Sequence, residues 1–129
     1  MTHDLVVLPG PYAVCRLHPS DPVPAWAASG DFHAILRTPE ELSLVCRQDD
    51  VPPDIQAERD WRVLKVAGPL DFALTGVVSG LTAPLAEARI TVFVLSTFNT
   101  DYILVRADAL GRACAVLVEN GHRVQARAE

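Results

Sequence analysis

Ser96-Thr97-Phe98-Asn99-Thr100-Asp101-Tyr102-Ile103-Leu104-Val105 decides the fold of this 129-residue chain. An apolar strand, Ile90–Leu95, runs into the stretch and a second apolar strand runs out of it. Asn99 and Asp101 supply turn chemistry between them, so the segment predicts a β-hairpin. Ile90, Val92 and Val94 face one way and Phe93 and Leu95 the other; on the outgoing strand Tyr102 and Leu104 oppose Ile103 and Val105. Both faces of the hairpin are therefore apolar. A turn needs about two or three residues. The knot of Ser96, Thr97, Asn99, Thr100 and Asp101 carries more hydroxyl and carboxylate than that, and the excess marks a candidate site.

Working outward, Trp61–Ala67 alternates as a strand and Gly68-Pro69 stops it. From about Phe72 to Ala88 the apolar spacing turns helical through Leu74, Val77, Val78, Leu81 and Leu85. Pro84 lies inside that run and is expected to bend or shorten it, because it lacks an N–H and crowds the carbonyl of Gly80. After the hairpin, Asp108 can cap a helix with the stripe Leu110, Ala113, Cys114, Leu117 and Val118. Gly121 is a natural helix stop, and His122–Ala126 reads as a last strand. The order β-α-β-β-α-β predicts an α+β, ferredoxin-like unit: a four-stranded antiparallel sheet with both helices on one face. The second apolar face then needs a cover, either the first half of the chain or another subunit. The patch Val92–Leu95 makes a homodimer the expected assembly.

The first half, residues 1–60, is more broken. Leu5–Leu8 and Tyr12–Leu17 read as strands, Pro22–Ser29 as a short helix, and Phe32–Arg37 with Leu42–Arg47 as a hairpin turned by Thr38-Pro39-Glu40-Glu41. Asp49–Arg59 is polar, contains Pro52-Pro53, and reads as a connector. The pattern looks like a reduced copy of residues 61–129 without the second long helix. Trp26 and Trp61 are expected in the core or an interface rather than as ligand platforms.

Half the residues are apolar, enough for a core, and the net charge is −5 with a single lysine, Lys65. Without a basic patch, nucleic acid is not an expected partner. No apolar run approaches the ~20 residues of a membrane span, and Met1-Thr2-His3-Asp4 does not begin a signal peptide, so a cytoplasmic location is expected. Cys15, Cys46 and Cys114 are odd in number and widely spaced, and are expected as buried free thiols. His3, His18, His33 and His122 show no ligand spacing, so no metal and no cofactor are expected.

No nucleophile–base motif, metalloprotease helix, phosphate loop or dinucleotide fingerprint is present, and the chain is not expected to be an enzyme. Binding is better supported. The loop Gly68–Gly76 joins a strand to a helix, and N–H groups at a helix start can hold a carboxylate. Asp101 can pair with an ammonium or guanidinium, so together the two suit an amino acid. Each residue also has a plainer role: Asp71 as helix cap, Gly76 as a packing glycine, Asn99, Thr100 and Asp101 as turn residues, and Ser96 and Thr97 bonded within the sheet edge. In a split β-α-β sheet the loop and the hairpin do not obviously adjoin, and an interface is one place where they could meet. A protein–protein interaction module with an empty cleft is the alternative.

Ala67-Gly68-Pro69-Leu70-Asp71-Phe72-Ala73-Leu74-Thr75-Gly76, Ala83-Pro84-Leu85-Ala86-Glu87-Ala88 and the Ser96–Val105 stretch together resemble the ACT-domain family. The resemblance is to a small subgroup with two ACT-like halves in one chain, similar to the repeating unit of animal cytosolic arginine sensors. Tyr12-Ala13-Val14-Cys15-Arg16-Leu17 and Pro24-Ala25-Trp26 match its first half more loosely. The resemblance implies a non-catalytic regulatory module that binds a small molecule, usually an amino acid, between paired ACT units. It implies a ligand held by the Leu70–Gly76 loop on one side and by Asp101 on the other; with the polar knot added, the candidate site is Leu70, Asp71, Phe72, Thr75 and Gly76 with Ser96, Thr97, Asn99, Thr100 and Asp101.

Overall fold

A computed structural model describes residues 2–70 and 75–126. Among them run strands β1 (Asp4–Val7), β2 (Tyr12–Leu17), β3 (Ala34–Arg37), β4 (Leu42–Arg47) and β5 (Ala57–Val66), helix α1 (Val77–Glu87), strands β6 (Val92–Ser96) and β7 (Asp101–Arg106), helix α2 (Leu110–Glu119) and strand β8 (Arg123–Ala126). Short 3-10 turns lie at Ala25–Ala28, Gln48–Asp50 and Ala107–Ala109. The chain forms two compact units: Met1–Pro9 with Arg62–Glu129, and Gly10–Trp61.

The first of these carries the β-α-β-β-α-β order, with one addition. In a four-stranded ferredoxin-like sheet the last strand would lie beside the first. Here β1 occupies that slot, antiparallel to β5 through Leu5↔Val66 and Val7↔Leu64, and parallel to β8 through Leu5↔Val124. β7 pairs with β5 and β6 pairs with β7, so the unit reads β8-β1-β5-β7-β6. β1, counted with the first half by chain position, thus belongs by its hydrogen bonds to the C-terminal sheet. The sheet has five strands rather than the expected four.

Both helices cover the face formed by Leu5, Val7, Leu64, Val66, Ile103 and Val105. α1 contributes Val77, Leu81 and Leu85, four residues apart and on one stripe; α2 contributes Ala113 and Leu117. Val118, expected in that stripe, is exposed. On the opposite face Val63 and Leu104 are buried while Phe93 and Leu95 are half-buried. The helix expected from Phe72 begins at Val77 and runs through Pro84 to Glu87. Asp108 does not cap α2: it lies in the 3-10 turn, and the cap position is Ala109, without a side-chain bond. α2 ends as expected at Gly121, with φ +92°. The Gly121 N–H bonds to the carbonyl of Val118 and the His122 N–H to that of Leu117, the paired bonds of a Schellman stop.

The unit Gly10–Trp61 pairs β3 with β4, β4 with β2, and β2 with the start of β5, all antiparallel. Ala57–Arg59, expected in a connector, belong to β5. Cys15↔Ala57 and Val14↔Glu58 place them there, and the register slips at Tyr12/Val14. Asp60 takes the compensating positive φ of 65°. The short helix is a single 3-10 turn over Ala13, Cys15, Leu42, Leu44 and Cys46, with Trp26 packed beside it. Cys15 and Cys46 are buried free thiols in mutual contact; the hydrogen bond with Cys15 and then burial push the Cys46 thiol up. Cys114, expected buried, is half-buried.

Candidate functional site

The C-terminal end of β5 and the turn between β6 and β7 close on one another within a single unit. The Leu70 N–H donates to the Asn99 carbonyl at 2.7 Å, and the Thr100 hydroxyl donates to the Val66 carbonyl at 2.6 Å. Gly68 permits that approach: a Cβ there would stand 3.2 Å from the Asn99 carbonyl oxygen and 3.2 Å from the Thr100 Cβ. The loop and the hairpin therefore need no second subunit to meet. β7 lies directly beside β5, so the turn that starts β7 sits at the end of β5. Between them and the first turns of α1 is an open hollow of about 860 Å³, within the size range of small-molecule sites.

Leu70, Gly76, Ser96, Thr97, Asn99, Thr100 and Asp101 all line this hollow. Thr75 is exposed and is not among the lining residues. Asp71 and Phe72 lie outside the described residues. The cap position of α1 is Gly76, in the left-handed region at φ +81°, with no side-chain cap bond. The first helical bond runs from Gly80 N–H to the Gly76 carbonyl, so the N–H groups of Val77, Val78 and Ser79 precede the ladder. These residues also line the hollow, with Thr82 one turn on and Phe98 at the hairpin tip. None of these five stands out in the sequence. Val78 and Thr82 share the i, i+4 helical spacing, a signal indistinguishable from ordinary helix patterning.

The hairpin residues divide by what they bond. Thr97 serves the turn: its hydroxyl donates to the Thr100 carbonyl at 3.0 Å and accepts from the Thr100 N–H at 3.2 Å. Thr100 is buried and ties the turn to β5. Ser96 and Asp101 face each other as a register pair, and the Ser96 hydroxyl donates to Asp101 Oδ1 at 2.6 Å. Asp101 is the one charged side chain among the described lining residues. The hollow thus offers fixed N–H dipoles at one wall and a carboxylate at another.

Two histidines stand at the same end of the sheet. The His3 and His122 rings stack at 5.8 Å with planes 12° apart, and the His3 backbone N–H donates to His122 Nδ1 at 3.1 Å. Burial, then the neighbouring His122, holds the His3 imidazole below the ordinary histidine value, while Asp101 and Asp4 pull it back up. Arg123 pairs with Asp4 in a two-point, solvent-exposed contact. Sequence spacing could not bring His3 and His122 together, since their contact depends on β1 entering the sheet beside β8. No group of three metal-ligating side chains occurs among the described residues, and no helix there is long and apolar enough to cross a membrane.

A sequence profile of the ACT domain matches residues 56–119, and a second profile, for an N-terminal domain, matches residues 10–54. Residues 56–119 of the chain are an ACT domain by the first match. The cytosolic arginine sensor for mTORC1 subunit 1 of Bos taurus is 37% identical over 90 residues, covering 61% of this chain and 27% of that protein. The match thus spans about a quarter of the length of that relative. A protein of Agrobacterium tumefaciens of known structure is 37% identical with a TM-score of 0.94, covering 100% of this chain and 96% of its own. The regulatory subunit of aspartate kinase from Thermus thermophilus shares the fold alone, at 12% identity and TM-score 0.58, over 92% of this chain and 94% of its own. Residues 56–119 thus share the α+β, ferredoxin-like ACT fold of that subunit.

Proposed function

We propose that the hollow binds a free amino acid. The N–H groups at the start of α1 take the α-carboxylate, and Asp101 takes an ammonium or guanidinium group. The observation that carries this reading is the convergence, in one unit, of an uncapped helix start and a lone carboxylate on the same hollow. The name of the bovine relative, an arginine sensor, favours a ligand with a cationic side chain. Residues 1–60 and 61–129 are proposed as ACT-like halves, the first reduced and lending β1 to the sheet of the second. A homodimer is proposed through β6, which pairs with β7 alone among the described strands and leaves an edge beside Val92–Leu95. The second copy would close the open side of the hollow, near the exposed Phe98. A cytoplasmic location is proposed by analogy with the bovine relative, a cytosolic sensor.

Calorimetry and thermal shift against the twenty amino acids test the binding reading. A ligand at 100 times its dissociation constant raises stability by about 2.7 kcal/mol. Binding by L-arginine or L-lysine supports it; no shift with any amino acid leaves the protein–protein module as the better account. Sedimentation as a clean monomer at tens of micromolar protein would contradict the dimer (roughly, by ordinary interface affinities).

A further inference from the structure

One end of the helix-covered face carries a row of side chains drawn from neighbouring strands. His122 stands just before β8, His3 just before β1, Asp101 opens β7 and Ser96 closes β6. The alternation of each strand puts them on one side: Val124, Leu5, Ile103 and Val92 pack under the helices, and the row residues lie two or four positions from them. Between His3 and Asp101 the row passes the end of β5, where the antiparallel register carries on to Gly68, which has no side chain. The row is held at each strand. The Arg123 N–H bonds the His3 carbonyl at 3.0 Å, and the Ala67 N–H bonds the Asp4 carbonyl at 2.7 Å. The Thr100 hydroxyl bonds the Val66 carbonyl at 2.6 Å. Ser96 and His3 therefore flank Asp101 from opposite sides of the sheet order.

We infer that His3, which stands in this row but does not line the hollow, acts on the ligand site through Asp101: as an imidazolium it serves Asp101 as an internal counter-ion and competes with the ligand's cationic group, and as a neutral imidazole it leaves Asp101 open. The inference rests on the amino-acid reading of the hollow. Among the described residues, the charged and titratable groups acting on His3 are His122 from the α2–β8 junction, Asp101 from β7 and Asp4 from β1. Asp4 is already engaged by Arg123 at 2.6 Å, which leaves Asp101 as the carboxylate not paired with a cation. Burial and the stacked His122 disfavour the charged imidazole, whereas Asp101 favours it. A cation bound at Asp101 cancels that favourable term. Proton uptake by His3 and ligand binding are then antagonistic, and by linkage each weakens the other by the same factor.

The test uses the full chain. The proton titration of His3 is followed by NMR in the parent and in Asp101→Asn without ligand. L-arginine binding is measured by calorimetry at pH 7.5 and 5.5 (both about one unit from the ordinary histidine value). Asp101→Asn is expected to move the His3 midpoint to lower pH. L-arginine affinity is expected to fall roughly fivefold or more on acidification, and His3→Gln to remove that dependence. His122→Gln, which loosens the same strand junction but leaves the His3 imidazole, is expected to keep it. Loss of the dependence in both histidine variants would mark a merely structural role and overturn the inference. An unchanged His3 midpoint in Asp101→Asn overturns it even where L-arginine binds. Failure of L-arginine to bind at either pH overturns the competition whatever the titration shows, and failure of all twenty amino acids to bind overturns the amino-acid reading itself.

Discussion

The two hairpins of the molecule use the same turn, and the contrast between them isolates what the site residues do. In the turn between β3 and β4 the Thr38 N–H bonds the Glu41 carbonyl at 2.9 Å, and the Thr38 hydroxyl accepts the Glu41 N–H at 3.2 Å. In the turn between β6 and β7 the Thr97 N–H bonds the Thr100 carbonyl at 2.8 Å, and the Thr97 hydroxyl accepts the Thr100 N–H at 3.2 Å. One threonine closes each four-residue turn. The flanks differ. Arg37 pairs with Leu42 across the first turn, while Ser96 pairs with Asp101 across the second and bonds it directly. Turn chemistry therefore accounts for Thr97, just as it accounts for Thr38. It does not account for the carboxylate beside it. Glu40 and Glu41 lie within the first turn, whereas the hairpin whose flanking pair carries a carboxylate is the one beside Gly68 and the start of α1.

Substitutions at corresponding places can break that contrast. The largest effect is expected from Asp101→Asn, which keeps an acceptor for the Ser96 hydroxyl but removes the charge. Amino-acid binding should weaken by about 1.5–3 kcal/mol, the worth of a hydrogen bond to a charged group, with the melting temperature nearly unchanged. Arg37→Gln, at the corresponding flank, should leave binding alone; calorimetry on both variants decides the matter. Gly68→Val drives a side chain into the Asn99 carbonyl and Thr100, and overpacking of this kind costs about 1–3 kcal/mol. Chemical denaturation reads that loss, and binding should fall with it because the hairpin shifts. Thr38→Ala and Thr97→Ala should each cost about 1 kcal/mol, the worth of a hydrogen-bonded turn hydroxyl. Only Thr97→Ala should also perturb binding; unequal stability losses would contradict the equivalence of the two turns.

The smallest expected effect comes from pH. The folded-state value of His3 lies below its unfolded value, chiefly through burial. Its contribution to stability is therefore present above the ordinary histidine value and is lost as pH falls through that value toward the folded one. Melting temperatures measured from pH 7.5 to 5.5 (bracketing that value) should decline slightly in the parent and less in His3→Gln.

The hairpin, the helix stripes and the Gly121 stop were legible in the sequence because each rests on local periodicity or on one residue's backbone freedom. The place of β1 was not. Asp4–Val7 reads as a strand, yet nothing local says that it enters the sheet between β5 and β8, partners more than fifty residues away. That insertion is also why the His3–His122 pair could not be foreseen. The start of α1 was misplaced because the apolar spacing extends back to Phe72, whereas the left-handed Gly76 sets the boundary. At the site the polar knot was visible as an excess of hydroxyls and carboxylate. The union of loop and hairpin was not, since it depends on β7 lying beside β5 and on the absent side chain of Gly68. Chain order alone made an interface the natural meeting place.

The central claim is that one hairpin serves a ligand and its counterpart serves only the fold. Its most direct test is a backbone amide NMR titration of the full chain with L-arginine, with L-lysine and L-glutamate alongside. The account predicts that shifts on adding a cationic amino acid concentrate at Val77–Ser79 and Ser96–Asp101, leave Arg37–Leu42 unmoved, and vanish in Asp101→Asn. Shifts centred on the β3–β4 turn, or binding by L-glutamate that survives Asp101→Asn, would contradict it.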